Sequence, residues 1–264
     1  MMRFTTARRK NKNEHGGAAW ISRAAALVFW ISVWQAASYF IGYDLLLPSP
    51  FAVAKRMAEL ALTSVFWRSV FYTASKICAG FFTAIIVGSA LACLSGMFRC
   101  VRILLFPFMA AVKSVPVASF VILALIWLDS SSLSVFIAFV MVLPILYVNV
   151  LAGLDACDGK LVEMARVFRM PPLTKGLFVY LPYAFPYFRS GCAVALGLCW
   201  KAGVAAELIG VPRGSLGEQL YFSKAYFLTT DLLALTVVII LLSVGFEKLF
   251  LALLDRTYAL YERM

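Results

Sequence analysis

The chain has 264 residues, 63% of them hydrophobic and 14% charged, with a mean hydropathy of +0.90 and a formal net charge of +11. A soluble domain of this length buries its core with roughly half its residues apolar, so the excess calls for a second apolar solvent, the lipid bilayer. Disorder and a disulfide scaffold are excluded, since Cys78, Cys93, Cys192 and Cys199 sit inside apolar stretches as small packing residues, and the basic residues flank apolar runs, which argues for membrane orientation and against nucleic acid.

In chain order, a tail over 1–23 carries Arg3, Arg8, Arg9, Lys10, Lys12 and Arg23 ahead of a charge-free run over 24–43. A secretory signal core is about 7 to 15 apolar residues followed by a small-residue cleavage site. This run is longer and leads straight into Asp44 and Leu45-Leu46-Leu47-Pro48, so it reads as a retained first helix. Pro48-Ser49-Pro50 then punctuates the chain, and 51–62 sets Lys55, Arg56 and Glu59 against Val53, Met57, Leu60 and Ala61. With Ser49 as its cap and Pro50 in first position, this predicts a short surface helix on the outer side.

Two more runs, 77–98 and 130–154, are free of charge, and at about 1.5 Å per residue each of the three reaches across a hydrocarbon core. Three further spans are interrupted: 103–128 by Lys113, 190–212 by Lys201 and Glu207, and 232–254 by Glu247 and Lys248. A lipid-facing charge at mid-bilayer costs at least about 2.5 kcal/mol, so Lys113 and Lys201 are expected to face protein or a water-filled path.

Six spans put both termini on one side. That side receives fifteen Lys and Arg, from the N-terminal tail, Arg99, Arg102, Lys160, Arg166, Arg169, Lys175, Lys248, Arg256 and Arg263, while the other receives five, Lys55, Arg56, Arg68, Arg213 and Lys224. The positive-inside rule makes the first side cytoplasmic. The expected organisation is therefore a cytoplasmic tail over 1–23, an all-α membrane domain of six transmembrane helices over 24–254, and a cytoplasmic tail over 255–264.

Two readings of Lys113 stand. It lies eleven residues beyond Arg102, within reach of the interface for a snorkelling side chain, or it lines a solute path or bonds to carbonyls freed by Pro116 in the same span. Lys201 and Glu207, six residues apart, are turned by about 240° on a helix and do not share a face, so each needs its own partner. A place inside the bundle or facing the path suits Lys201, and a gate or interface contact suits Glu207. His15, the one histidine, lies in the polar tail, and there is no Gly-x-x-x-x-Gly-Lys-Ser/Thr stretch. The chain is thus expected to hold no metal, no cofactor and no catalytic residue, and any ATP is expected to be hydrolysed elsewhere.

The longest loop of the cytoplasmic side covers 155–189. Leu161, Met164, Ala165 and Phe168 recur at helical spacing, Pro171-Pro172 stops that helix and starts a second, and Pro182 and Pro186 are expected to end the second before the membrane. Glu163, Met164 and Ala165, three residues, Arg169, nine residues, Val179, one residue, then Leu181-Pro182 resemble the cytoplasmic "EAA" loop of permease subunits of binding-protein-dependent ABC importers, which reads Glu-Ala-Ala, Gly, Ile, Leu-Pro at that spacing. Met164 stands for the first Ala and Arg169 for the turn Gly. If that turn is left-handed, a side chain there costs on the order of 1 kcal/mol.

Leu46-Leu47-Pro48-Ser49-Pro50, Ser114-Val115-Pro116-Val117-Ala118 with Ile126-Trp127-Leu128, Pro144 to Asn149, Ala195-Leu196-Gly197-Leu198 with Ala206-Glu207-Leu208-Ile209-Gly210, and Thr230-Asp231-Leu232 are similar to the nitrate/taurine/alkanesulfonate branch of these permeases. The resemblance implies a type I importer permease of the bacterial inner membrane, paired with a second permease copy, two ATPase subunits that use the ATP, and an extracytoplasmic solute-binding protein. It implies that Glu163, Ala165, Arg169, Val179, Leu181 and Pro182 form the ATPase-coupling element, and that the cargo is a small organic or inorganic anion such as a sulfonate or nitrate. The alternative is an ion-coupled secondary transporter using Lys113, Lys201 and Glu207. Carriers of that kind are commonly built from internal repeats, and none is visible in this sequence.

Overall fold

The computed structural model describes residues 14–261, with the side chains of 14–21 and 23 left aside; most of the basic N-terminal tail, the imidazole of His15 and residues 262–264 lie outside what is described. The described residues form helices and connecting turns: α1 (Glu14–Ile41), α2 (Pro50–Ala61), α3 (Ser64–Met97), α4 (Arg99–Ser114), α5 (Val117–Ala124), α6 (Ser130–Asp155), α7 (Gly159–Val167), α8 (Pro172–Lys175), a π-turn (Gly176–Tyr180), α9 (Leu181–Gly210), α10 (Leu216–Ala225) and α11 (Thr229–Tyr261).

Three helices make the centre. Alongside α6, α3 runs parallel: an added Cβ on Gly80 would stand 2.4 Å from the Val135 carbonyl oxygen, and Tyr147 Oη lies 3.0 Å from Ser95 Oγ. On its other side α9 runs antiparallel, with Gly153 against Ala184 and Gly210 against Leu133. Ile77, Phe81 and Ala84 of α3, Ala138, Val142 and Leu146 of α6, and Cys192, Leu196, Cys199 and Trp200 of α9 form one buried cluster. In its most apolar stretch α6 is 61% buried, against 6% for α1 and 0% for α11, so α6 is the axis of the bundle and α1 and α11 are its flanks. A helix apolar all round, as α6 is, belongs at such an axis.

Since α3 and α6 run the same way, the chain between them must return across the bundle. That return is α4 and α5, a pair bent by 103° at Val115-Pro116. With the five long apolar helices it makes six crossings. The expected span over 103–128 is therefore a broken one, because Pro116 has no N–H to continue α4 and disfavours helical backbone at the residue before it.

Other boundaries also move. The second span begins at Ser64, well before 77, since Arg68 and Lys76 lie within α3; the Lys76 Nζ is 5.6 Å from the Tyr72 ring centroid, an aromatic partner that a charge-free criterion overlooks. The last helix continues through 255 to Tyr261; the first helix begins at Glu14, with its apolar crossing stretch over Ala24–Ile41. The expected surface helix is α2: Ser49 Oγ accepts from the Ala52 N–H at 3.2 Å, with Pro50 in the first turn. It is more than a surface helix, because Arg56 donates through Nε and Nη2 to both carboxylate oxygens of Asp231 in the first turn of α11. That pair, with Glu59 beside it, holds the Arg56 guanidinium above its ordinary range.

Candidate functional site

The ends of the bundle gather different chemistry. At one end, Arg102 donates to both oxygens of Asp155 at 3.1 and 2.7 Å, joining the start of α4 to the end of α6. Beyond that pair lies the 155–180 segment. Asp158 caps α7 by accepting from the Lys160 N–H at 2.9 Å, and the Cys157 thiol, 3.7 Å from the Val179 carbonyl, is pushed up by burial.

The motif residues divide into two sets. Ala165 and Val179 are buried where α7 packs on the π-turn, while Glu163 and Arg169 are exposed. Around them Val167, Phe168, Leu173 and Phe178 are also exposed, with Leu173 at 81%, at the end of the bundle past the Arg102–Asp155 pair. An exposed apolar patch rimmed by charge is the composition of an interaction surface, for a protein or for the membrane.

Arg169 adopts a left-handed turn, with φ +49°. Its N–H donates to Arg166 O at 3.0 Å and the Met170 N–H to Ala165 O at 3.0 Å, the pair of bonds that closes a Schellman cap on α7. The bonding pattern survives although the residue has a Cβ.

The second half of the loop departs from expectation. Pro182 and Pro186 do not end a helix; α8 passes through the π-turn directly into α9, which contains both prolines. The wider turn, in which the Leu181 N–H reaches back to Gly176 O, gives room for Pro182 where an α-helical turn would meet its ring. Leu181 and Pro182 thus open a membrane helix, so Pro172 to Gly210 is one continuous rod.

At the opposite end lies a buried carboxylate. Glu207 is fully buried. Thr73 Oγ1 donates to its Oε2 at 2.8 Å and Ser134 Oγ to its Oε1 at 3.2 Å, and the Gly217 N–H reaches Oε2 at 3.2 Å. Thr73 in turn accepts from the Leu216 N–H at 3.0 Å. This network ties α3, α6 and α9 to the start of α10.

Lys113 and Pro116 are both exposed at the α4–α5 break, and Lys201 is exposed on α9 on a face that Glu207 does not share. Neither lysine comes to Glu207. The residues expected to couple thus lie on one segment, 163–182, while of the four expected pathway residues Lys113 and Pro116 share the α4–α5 break and Lys201 and Glu207 stand on different faces of α9.

Residues 80–258 match the family described as binding-protein-dependent transport system inner membrane component. The chain is 26% identical over 254 residues to the nitrate import permease protein NrtB of Synechocystis sp., covering 92% of this chain and 88% of that one. It is 26% identical over 237 residues to the taurine transport system permease protein TauC of Escherichia coli, covering 86% and 84%. Against the bicarbonate transport system permease protein CmpB of Synechococcus elongatus it is 27% identical over 163 residues, covering 61% and 58%. With its apolar crossing helices and a match over more than half its length, the chain belongs to the binding-protein-dependent transport system inner membrane component family.

Proposed function

We propose that this chain is the permease subunit of an ABC importer, forming the solute pathway and receiving the force of ATP hydrolysis through 155–189. One observation carries the reading: Glu163 and Val167 stand exposed on a capped α7 that packs on the π-turn leading into α9, with Phe168 at its C-cap and Leu173 at the start of α8 exposed beside them. That is a helix offered to a groove on a partner, and a displacement of the segment is delivered to a membrane helix without an intervening flexible joint. Glu163, Ala165, Arg169, Val179, Leu181 and Pro182 form this element.

The partners are two ATPase subunits that bind the ATP, an extracytoplasmic solute-binding protein and a second copy of the permease, with both termini in the cytoplasm. The cargo is a small anion, in keeping with relatives named for nitrate, taurine and bicarbonate. Membership of a binding-protein-dependent family leaves the ion-coupled carrier without support.

Reconstitution in proteoliposomes with the ATPase and binding protein tests the reading. Glu163→Lys should insert normally but lose the link between ATP hydrolysis and uptake. Wild-type coupling in that variant would overturn it.

A further inference from the structure

The end of α11 grips the coupling segment at three points along one face. Asp255 accepts from Arg189 Nε and Nη2. Tyr258 stacks on Phe185 with ring centroids 3.7 Å apart and planes 7° from parallel. Tyr261 lies against Phe178, and its hydroxyl donates to the Leu177 carbonyl at 2.7 Å. The three-residue spacing of Asp255, Tyr258 and Tyr261 puts all of them on the side of α11 that meets the rod.

The last of these bonds answers a defect in the backbone. In the π-turn the Leu181 N–H goes to Gly176 O, five residues back, so it is not available to Leu177. The next residue in that ladder is Pro182, which has no N–H. The Leu177 carbonyl is therefore left without a backbone donor, and the Tyr261 hydroxyl supplies one.

We propose that Tyr261 is a positioning residue for ATPase coupling: its hydroxyl stands in for the N–H that Pro182 lacks, so the last turn of α11 moves with the coupling segment. The inference rests on the coupling reading of 155–189 and deepens it. Force arriving at the π-turn is then shared between α9 and α11, the two helices whose ends meet there. Because this contact is exposed, water meets the carbonyl when the hydroxyl is absent, and the loss appears as slack in the linkage and leaves the fold intact.

The test uses the full permease reconstituted with its ATPase and binding protein, reading solute imported per ATP hydrolysed. Tyr261→Phe keeps the ring and removes the donor; it should lower that ratio about fivefold, the equivalent of about 1 kcal/mol for one hydrogen bond. Pro182→Ala returns an N–H facing Leu177, so in a double-mutant cycle against Pro182→Ala alone, adding Tyr261→Phe should cost little of the ratio. A Tyr261→Phe protein at the wild-type ratio, or a deficit that Pro182→Ala leaves unchanged, overturns the proposal. Glu163→Lys run in parallel separates the two ideas: if it uncouples while Tyr261→Phe does not, this inference alone fails, and if it remains coupled, the docking reading itself falls.

Discussion

Glu207 and Gly217 meet so closely that the glycine has no room for a side chain. A Cβ on Gly217 would stand 2.2 Å from Glu207 Cβ and 2.6 Å from the Glu207 carbonyl carbon, while the Gly217 N–H donates to Glu207 Oε2. The C-terminal end of α9 and the first turn of α10 are thereby locked in one register, with Thr73 and Ser134 closing the carboxylate from α3 and α6.

From this contact follows an order of stabilities. Gly217→Ala must push α10 away from α9, an overpacking that costs about 1–3 kcal/mol. Glu207→Leu strands the Thr73 and Ser134 hydroxyls and the Gly217 N–H in a dry site, at about 3 kcal/mol or more. Glu207→Gln keeps an oxygen for Thr73 and Gly217 and turns its amide toward the Ser134 hydroxyl, which can accept. Thermal unfolding in detergent should therefore place Glu207→Gln near wild type, with Gly217→Ala and Glu207→Leu well below it. A Glu207→Leu protein as stable as wild type would remove the clamp.

Arg169 makes the second prediction. Its φ of +49° in a fully bonded Schellman cap means that a residue with a Cβ is held in a left-handed turn that strains it. Arg169→Gly relieves roughly 1 kcal/mol of that strain, and slower hydrogen exchange at the amides of 169 and 170 reports it, by about fivefold. Arg169→Val, branched at Cβ, should do the reverse. Equal exchange in all three chains would show that the turn carries no strain.

Much of this was legible in the sequence because bilayer physics is local. A charge-free run long enough to cross, a Ser-Pro start at Ser49-Pro50 and the register from Glu163 to Pro182 are each written in consecutive residues. What was not legible depends on residues far apart. Arg56 reads as solvated until Asp231 arrives from 175 positions away; Lys76 is the local exception, a helix boundary by charge alone although its aromatic partner Tyr72 lies four residues back on the same helix. The prolines misled for a different reason: both stop an ideal helix, but Pro182 stands where the π-turn opens α9, and Pro186 is carried inside α9 without a bond to the Pro182 carbonyl. Glu207 could be recognised as costly in a membrane, yet its three donors come from α3, α6 and α10.

The last prediction concerns cargo. Lys113 lies in the final turn of α4, directly before the break at Pro116, and its side chain is exposed on the protomer, as is that of Lys201. A lysine left facing lipid at depth costs at least about 2.5 kcal/mol, so each is better accounted for by a snorkelled position at the interface or by a hydrated surface where a negative solute passes. The bend of 103° favours the second for Lys113, because the end of a helix with free carbonyls is where water must enter, and a cation there offsets both those carbonyls and the desolvation of an anion. Lys113→Met should accordingly cut anion uptake by on the order of tenfold, the loss of one charge-assisted hydrogen bond of about 1.5 kcal/mol, whereas Lys113→Arg retains much of it. Lys201→Met in the same assay decides whether the second lysine shares the path or serves packing alone. Uptake that survives Lys113→Met unchanged, or a binding protein whose ligand proves neutral or cationic, would end the case for an anion path at this break.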